Sequence, residues 1–262
     1  MAMTMMQNIT IGAELDIDKV NVTYKSRRGD VNALSDLSFR VRRGEFVSVL
    51  GPSGCGKSTL LRLASGLMQP TSGELRLNGD AIMSPRPDVG IVFQKPTLLP
   101  WKSVLSNVLV PIRALKRSDR DYMQTAMDLL RLVGLQDFPN HFPNELSGGM
   151  QQRVAIARGF IHDPNLLLMD EPFAALDAMT RESMMLELQK IWMSKQKSVL
   201  FITHSIPEAV FLSDRIIVMS NRPGRVMHEI DVNIPRPRNI EDMGSSAFTE
   251  LAGKLRRLFI GL

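Results

Sequence analysis

The sequence predicts an α/β domain organised around a phosphate-binding loop, and three stretches carry that expectation. The run Glu45-Phe46-Val47-Ser48-Val49-Leu50 has the length of a buried strand, Gly51-Pro52-Ser53-Gly54-Cys55-Gly56-Lys57-Ser58-Thr59 follows it directly, and Leu60-Leu61-Arg62-Leu63-Ala64 opens a helix. A second run, Leu166-Leu167-Leu168-Met169, ends in the carboxylates Asp170-Glu171. A third, Ser198-Val199-Leu200-Phe201-Ile202-Thr203, ends at His204, which places that histidine at the carboxyl edge of the sheet, where ligands bind in open α/β folds.

The loop has the spacing G-x-x-x-x-G-K-[ST], and the spacing has a mechanical reason. Glycines let backbone N–H groups turn inward around phosphate oxygens, and the helix that follows offers its positive end to the same anion. Lys57 is expected to reach the β- and γ-phosphates and Ser58 to give a hydroxyl to Mg²⁺. Unpaired carboxylates at the end of a buried strand are costly unless they handle a cation or a proton. Asp170 is therefore the expected Mg²⁺ partner, and Glu171, pointing the other way on an extended chain, the residue that positions or deprotonates water. Taken alone, the two acids also read as caps of the next helix.

Upstream, Leu15-Asp16-Ile17-Asp18-Lys19-Val20-Asn21-Val22-Thr23-Tyr24 and Leu37-Ser38-Phe39-Arg40-Val41 alternate as half-exposed strands, with Gly29-Asp30 as a turn signal before the second. Downstream, Glu74–Gly79 and Val89–Phe93 read as strands separated by Ser84-Pro85-Arg86-Pro87. From Gln94 the character changes. Met123, Ala126, Met127, Leu130 and Val133 recur at helical spacing, so 95 to about 160 is expected to be a mostly helical insertion. A long periodic helix is expected over 178–194, with Asp177 placed as its N-cap. Phe248, Leu251, Leu255, Leu258 and Phe259 form one face of a terminal amphipathic helix, expected to pack back on the domain, with contact to a membrane surface as the minor reading.

Composition bounds the rest. The 262 residues suffice for one large domain with an insertion, 44% are apolar, and no apolar run approaches the roughly 20 residues that cross a bilayer. Residues 1–12 lack a basic n-region and a long apolar core, so a loose tail is expected there and no export signal. The net charge of +5 permits nucleic acid or an anionic membrane as a neighbour. The basic residues are dispersed, with only short pairs such as Arg27-Arg28, Arg42-Arg43 and Arg256-Arg257, and solvated faces are the plainer reading. Cys55 is the only cysteine, which excludes an internal disulfide and fits a reducing compartment. Its thiol in the phosphate loop predicts sensitivity to alkylation, set against the plainer reading of a small residue tolerated there.

Leu146-Ser147-Gly148-Gly149-Met150-Gln151-Gln152-Arg153, placed before the acidic strand, resembles the signature motif of ATP-binding-cassette (ABC) ATPases. The resemblance covers nearly the whole chain. Tyr24 is similar to the family's aromatic A-loop residue, 51–59 to the Walker A loop, Gln94 to the Q-loop, 166–171 to the Walker B strand with its glutamate, Ala175-Leu176-Asp177 to the D-loop and His204 to the switch histidine. Met150 is the one departure, since the family most often has Gln there. The resemblance implies a P-loop NTPase fold with a RecA-like α/β core, an antiparallel β subdomain and the helical subdomain. It implies that Tyr24 stacks on adenine, a contact of about 1–3 kcal/mol, and that 51–59 and Asp170 bind ATP. It also implies that Gln94 gives an amide oxygen to Mg²⁺ or water, alongside Ser58 and Asp170, and that His204 contacts the γ-phosphate and orients Glu171. Ser147, Gly148 and Gly149 then serve the ATP of a second subunit in a head-to-tail dimer, and the loop of Asp177 couples the two sites.

The stretch Gln94–Trp101 and the tail Asn221-Arg222-Pro223-Gly224-Arg225 with Ile234-Pro235-Arg236-Pro237-Arg238 look like the ATPase subunits of bacterial importers for nitrate, aliphatic sulfonates, taurine and related small solutes. This implies a dimer at the cytoplasmic face of the inner membrane, its partner cassette a paralogue or, the preferred reading, a second copy (a homodimer), with permease subunits and an extracytoplasmic solute-binding protein as partners and no nucleic acid. Residues 13–222 are then the cassette and 223–262 a short extension, too short for the regulatory domain of some sugar and sulfate importers. Leu98, Leu99 and Trp101 either meet the permease's coupling helix or pack the insertion's own core. A soluble cassette protein acting on nucleic acid or the ribosome, supported only by the basic charge, and the ATPase of an importer for another solute class stay as alternative functions; an exporter ATPase is a weaker one.

Overall fold

The computed structural model describes residues 14–26, 29–174 and 176–260; the tail expected over 1–12, the pair Arg27-Arg28 and Ala175 lie outside them. In chain order the strands β1 (Leu15–Tyr24), β2 (Val31–Val41) and β3 (Phe46–Leu50) lead into helix α1 (Lys57–Ala64). Strands β4 (Ser72–Leu77), β5 (Asp80–Ala81) and β6 (Val89–Val92) precede four helices, α2 (Val104–Val108), α3 (Val110–Ala114), α4 (Asp119–Leu132) and α5 (Gly148–Phe160). The chain then runs β7 (Leu166–Asp170), α6 (Ala178–Lys195), β8 (Ser198–Thr203), α7 (Ile206–Leu212), β9 (Arg215–Met219), β10 (Val226–Asp231) and α8 (Ser246–Ile260).

These strands form two sheets, a four-stranded antiparallel one in the order β2-β1-β4-β5 and a six-stranded one in the order β10-β9-β3-β8-β7-β6. The second is parallel except for β10, which joins β9 antiparallel at the edge. Its inner strands β3, β8 and β9 are buried at every position, and the period of two explains how. Phe46, Leu50, Val199, Phe201, Ile216 and Val218 face one core shared with α2–α8. Val47, Val49, Leu200, Ile202, Ile217 and Met219 face another, shared with α1, β1 and β2. A sheet covered on both sides selects continuous apolar runs over alternation, which is why these strands read so plainly in the sequence.

The same sheet order assembles the site. Leu50 is in register with Thr203, Ile202 with Asp170, and Val92 with Met169. The carboxyl ends of four neighbouring strands therefore deliver the phosphate loop, His204, Asp170-Glu171 and Gln94 to one edge.

The helical insertion starts later than its composition suggests, because residues 93–103 form turns and the first helix begins at Val104. Residues 226–231, placed in the extension by the sequence, form β10 within the main sheet. The extension is pinned beyond that strand. Arg238 is fully buried, and its guanidinium donates to the carbonyls of Val210 (2.9 Å), Phe211 (2.8 Å), Ser213 (2.9 Å) and Ile234 (2.8 Å), closing the C-terminal end of α7. Burial lowers its pKa to about 10, so it remains charged at neutral pH. Arg236 pairs with Asp214 and stacks on Trp192 at 4.3 Å. Helix α8 then buries Phe248, Ala252 and Leu255 against the core, about 1.5–3 kcal/mol for each of the two large side chains. The amphipathic face packs back on the domain.

Candidate active site

The loop 51–56 turns twice through the left-handed region, at Gly54 (φ 79°) and Gly56 (φ 108°), and Gly56 is the N-cap of α1. A Cβ on Gly56 would stand 2.6 Å from Leu34 and 2.9 Å from the Ala33 carbonyl, so a side chain there would push the loop off β2. Lys57 is buried, and its ammonium donates to the carbonyls of Gly51 (2.8 Å) and Pro52 (2.9 Å), which holds a positive charge across the mouth of the loop. A cavity of about 280 Å³ opens here, lined by Tyr24, Ser53, Gly54, Lys57, Ser58, Thr59, Glu171 and Arg222 among others. Tyr24 is 37% exposed, and its hydroxyl lies 3.1 Å from Thr59 Oγ1.

At the acidic edge, burial raises the pKa of Asp170, and a hydrogen bond with Ser58 opposes that rise. Glu171 departs from the expected geometry. It stands one residue past the end of β7 in the left-handed region (φ 43°), with its N–H donated to Ile202 at 2.8 Å, and so is not an alternating residue of an extended chain. That turn, which costs of order 1–3 kcal/mol for a residue with a Cβ, directs the carboxylate into the cavity. There Glu171 Oε2 receives Gln94 Nε2 at 3.3 Å and lies 3.2 Å from His204 Nδ1. Gln94 thus meets the cluster through its amide nitrogen at Glu171.

Three expected site features lie elsewhere. Ser147 caps α5, its hydroxyl accepting from the Met150 N–H at 3.3 Å, and Ser147 and Gly148 are exposed. Asp177 caps α6 through the Thr180 N–H at 3.0 Å, and hydrogen bonds from the Thr180 hydroxyl and N–H hold its carboxyl below the usual range. Neither group lines the cavity of its own chain. Cys55 belongs to the loop's buried underside: it is 1% exposed, and burial pushes its thiol upward, so the expectation of a reactive thiol is replaced by that of a packed one.

Sequence reasoning missed two supports. Asn107, fully buried, accepts from the Leu99 N–H (2.7 Å) and donates to the carbonyls of Leu99, Lys102 and Ser103, while Arg158 donates to those of Pro96 and Thr97. Together they pin the segment 96–103 and leave Trp101 71% exposed at its tip, whereas Leu98 packs partly against the core. A buried Asn three residues into a short helix has no sequence signal of its own.

The family model described as ABC transporter matches residues 34–174. The chain belongs to the ABC transporter family. Among curated relatives, it is 46% identical to the taurine import ATP-binding protein TauB of Rhizobium johnstonii, covering 93% of this chain and 95% of the relative. It is 45% identical to the nitrate import ATP-binding protein NrtD of Synechococcus elongatus, covering 87% and 84%. Among solved structures it resembles the dimeric ABC transporter cassette MJ0796, with a TM-score of 0.75 and 35% identity over 84% of this chain and all of that one. A second structure of that cassette holds ADP and Pi in a post-hydrolysis state. Membership makes this chain an ATP-binding ATPase subunit with the α/β cassette fold.

Proposed function

We propose that this ABC ATPase energises an importer for a small solute of the nitrate, sulfonate or taurine type, and the observation that carries the catalytic reading is the convergence of Gln94 and His204 on one oxygen of Glu171. A carboxylate held between two such groups at the edge of the phosphate-loop cavity is placed to orient and deprotonate a water, a role worth ~10²–10⁴ in rate. Lys57 and the loop N–H groups stabilise the charge of the β- and γ-phosphates. Tyr24 offers the adenine platform.

The donor set beside the loop suits Mg²⁺. Among the described residues no cluster of three or more metal-ligating side chains exists. Ser58 and the half-buried Asp170 supply one hydroxyl and one carboxylate, the sparse protein contribution that a magnesium ion shared with nucleotide phosphates requires. When bound there, the ion neutralises developing phosphate charge.

The signature residues Ser147, Gly148 and Gly149 and the D-loop Asp177 then act across a head-to-tail dimer of two copies. The exposed Trp101, held out by the pinned segment 96–103, is the expected contact for a permease's coupling helix. Among the described residues no helix is long and apolar enough to cross a membrane. By its likeness to importer ATP-binding subunits the chain works peripherally on the cytoplasmic face of the inner membrane, with permease subunits and a separate solute-binding protein. The cassette runs on through β10, and the residues beyond that strand lock onto it through Arg238 and α8. Affinity capture from gently solubilised host membranes is expected to recover an integral-membrane permease. Recovery of ribosomes or nucleic acid without a permease would overturn the importer reading and leave the ATPase standing.

A further inference from the structure

The loop after β9 contributes a cation to the phosphate-loop cavity that none of the seven motifs contains. Residues 220–225 close on themselves, with the Ser220 N–H on the Arg225 carbonyl (3.0 Å) and the Ser220 hydroxyl on the Pro223 carbonyl (2.9 Å). Gly224 locks this loop against the site. Its N–H donates to Ala33 (2.9 Å), its carbonyl accepts from Ser35 (3.1 Å), and an added Cβ would lie 2.1 Å from the Cys55 carbonyl. The chain therefore approaches the phosphate loop as closely as backbone can, and only glycine permits it.

That support carries Arg222. Its Nε donates to the Gly54 carbonyl at 3.0 Å, its Nη2 lies 3.1 Å from where a Gly54 Cβ would stand, and its side chain lines the same cavity as Tyr24, Lys57 and Thr59. Among the described residues no carboxylate pairs with it. Its charge is felt inside the loop, where with Lys57 it opposes the upward push of burial on the Cys55 thiol. One guanidinium nitrogen is thus spent on fixing the group at the rim of a cavity that its side chain lines. A planar cation held in this way loses little freedom when an anion arrives.

We infer that Arg222 is a nucleotide-binding residue that contacts the phosphate chain of ATP and ADP from the loop after β9. The inference rests on the reading of 51–59 as the ATP loop. Because the contact is available to substrate and product alike, it lowers KM with little effect on kcat.

Binding of fluorescent ATP and ADP analogues to the full chain tests it, with Arg222→Met, Arg222→Lys and Lys57→Ala compared at low and high salt. Arg222→Met is expected to weaken both nucleotides about three- to tenfold at low salt, with the gap narrowing at high salt, kcat within about twofold and Arg222→Lys intermediate. Unchanged affinity in Arg222→Met, with binding lost in Lys57→Ala, overturns the Arg222 contact alone. A loss in Arg222→Met that is the same at both salt concentrations makes the residue a loop support and also overturns it. Undiminished binding in Lys57→Ala removes the phosphate-loop reading itself.

Discussion

Two regions of this chain, the loop 51–59 and the start of α5, are proposed to bind phosphate, and they are built on opposite plans. Around the loop 51–59 the groups meet: Lys57 on its own loop, Ser58 on Asp170, Gln94 and His204 on Glu171. At the start of α5 a helix N-terminus with two glycines faces solvent, and Ser147 is occupied only with its own cap. A Cβ on Gly148 would find nothing within 4 Å, whereas around the loop an added Cβ on Gly51 or Gly56 would come within 3 Å of a neighbour. The first region is constrained by the chain that contains it. The second leaves Ser147 and Gly148 open to solvent while Gly149 stays close to Thr180, as the proposed half-site for another copy requires.

Glu171→Gln breaks the first region with the least disturbance of shape. Turnover is expected to fall by ~10²–10⁴ while nucleotide affinity stays within about twofold, and the variant should accumulate as an ATP-bound dimer by light scattering. ATPase activity near that of the unaltered chain would remove Glu171 from the role of base.

Gly148→Asp breaks the second. It has room to fold and even favours the helix N-terminus, but it sets a negative charge where the partner's phosphate is expected. Turnover is expected to fall by about 10²-fold, and the ATP-dependent dimer of Glu171→Gln should be lost in the double variant while each monomer still binds nucleotide. Loss of monomer binding instead would place the signature residues in their own chain's site.

A smaller effect sharpens the contrast between packed and exposed loop surfaces. Cys55 is expected to react with a disulfide reagent about tenfold more slowly than an unfolded-chain thiol at neutral pH, because burial raises its pKa and blocks access. As pH rises through the folded pKa the thiolate fraction grows, so the rate should climb at higher pH than for a free thiol. Fast modification of the native chain would show that the loop's underside opens.

The sequence revealed more where burial is symmetrical. Strands β3, β7 and β8 were legible because both their faces are covered and their apolar runs unbroken, and the residues at their carboxyl ends were legible because polar chemistry there stands out. Strand β10 was not, since four of its six residues are exposed and its edge position imposes little pattern. Asn107 and Arg158 were equally silent, and Arg222 stood out only within a tail that resembles importer subunits and not for its place beside Gly54, for each acts through backbone carbonyls that any sequence possesses.

By itself the sequence determined the phosphate loop, the carboxylates and histidine at strand ends, the signature helix start and the family to which they belong, because each is a local pattern of spacing and polarity. Only the tertiary structure decided that Glu171 turns left-handed to receive Gln94 and His204, that α8 and Arg238 lock the extension to α7, and that Arg222 arrives beside Gly54 from 168 residues away. Those outcomes depend on strand order, close backbone approach and hydrogen bonds to carbonyls, none of which leaves a mark on residue spacing.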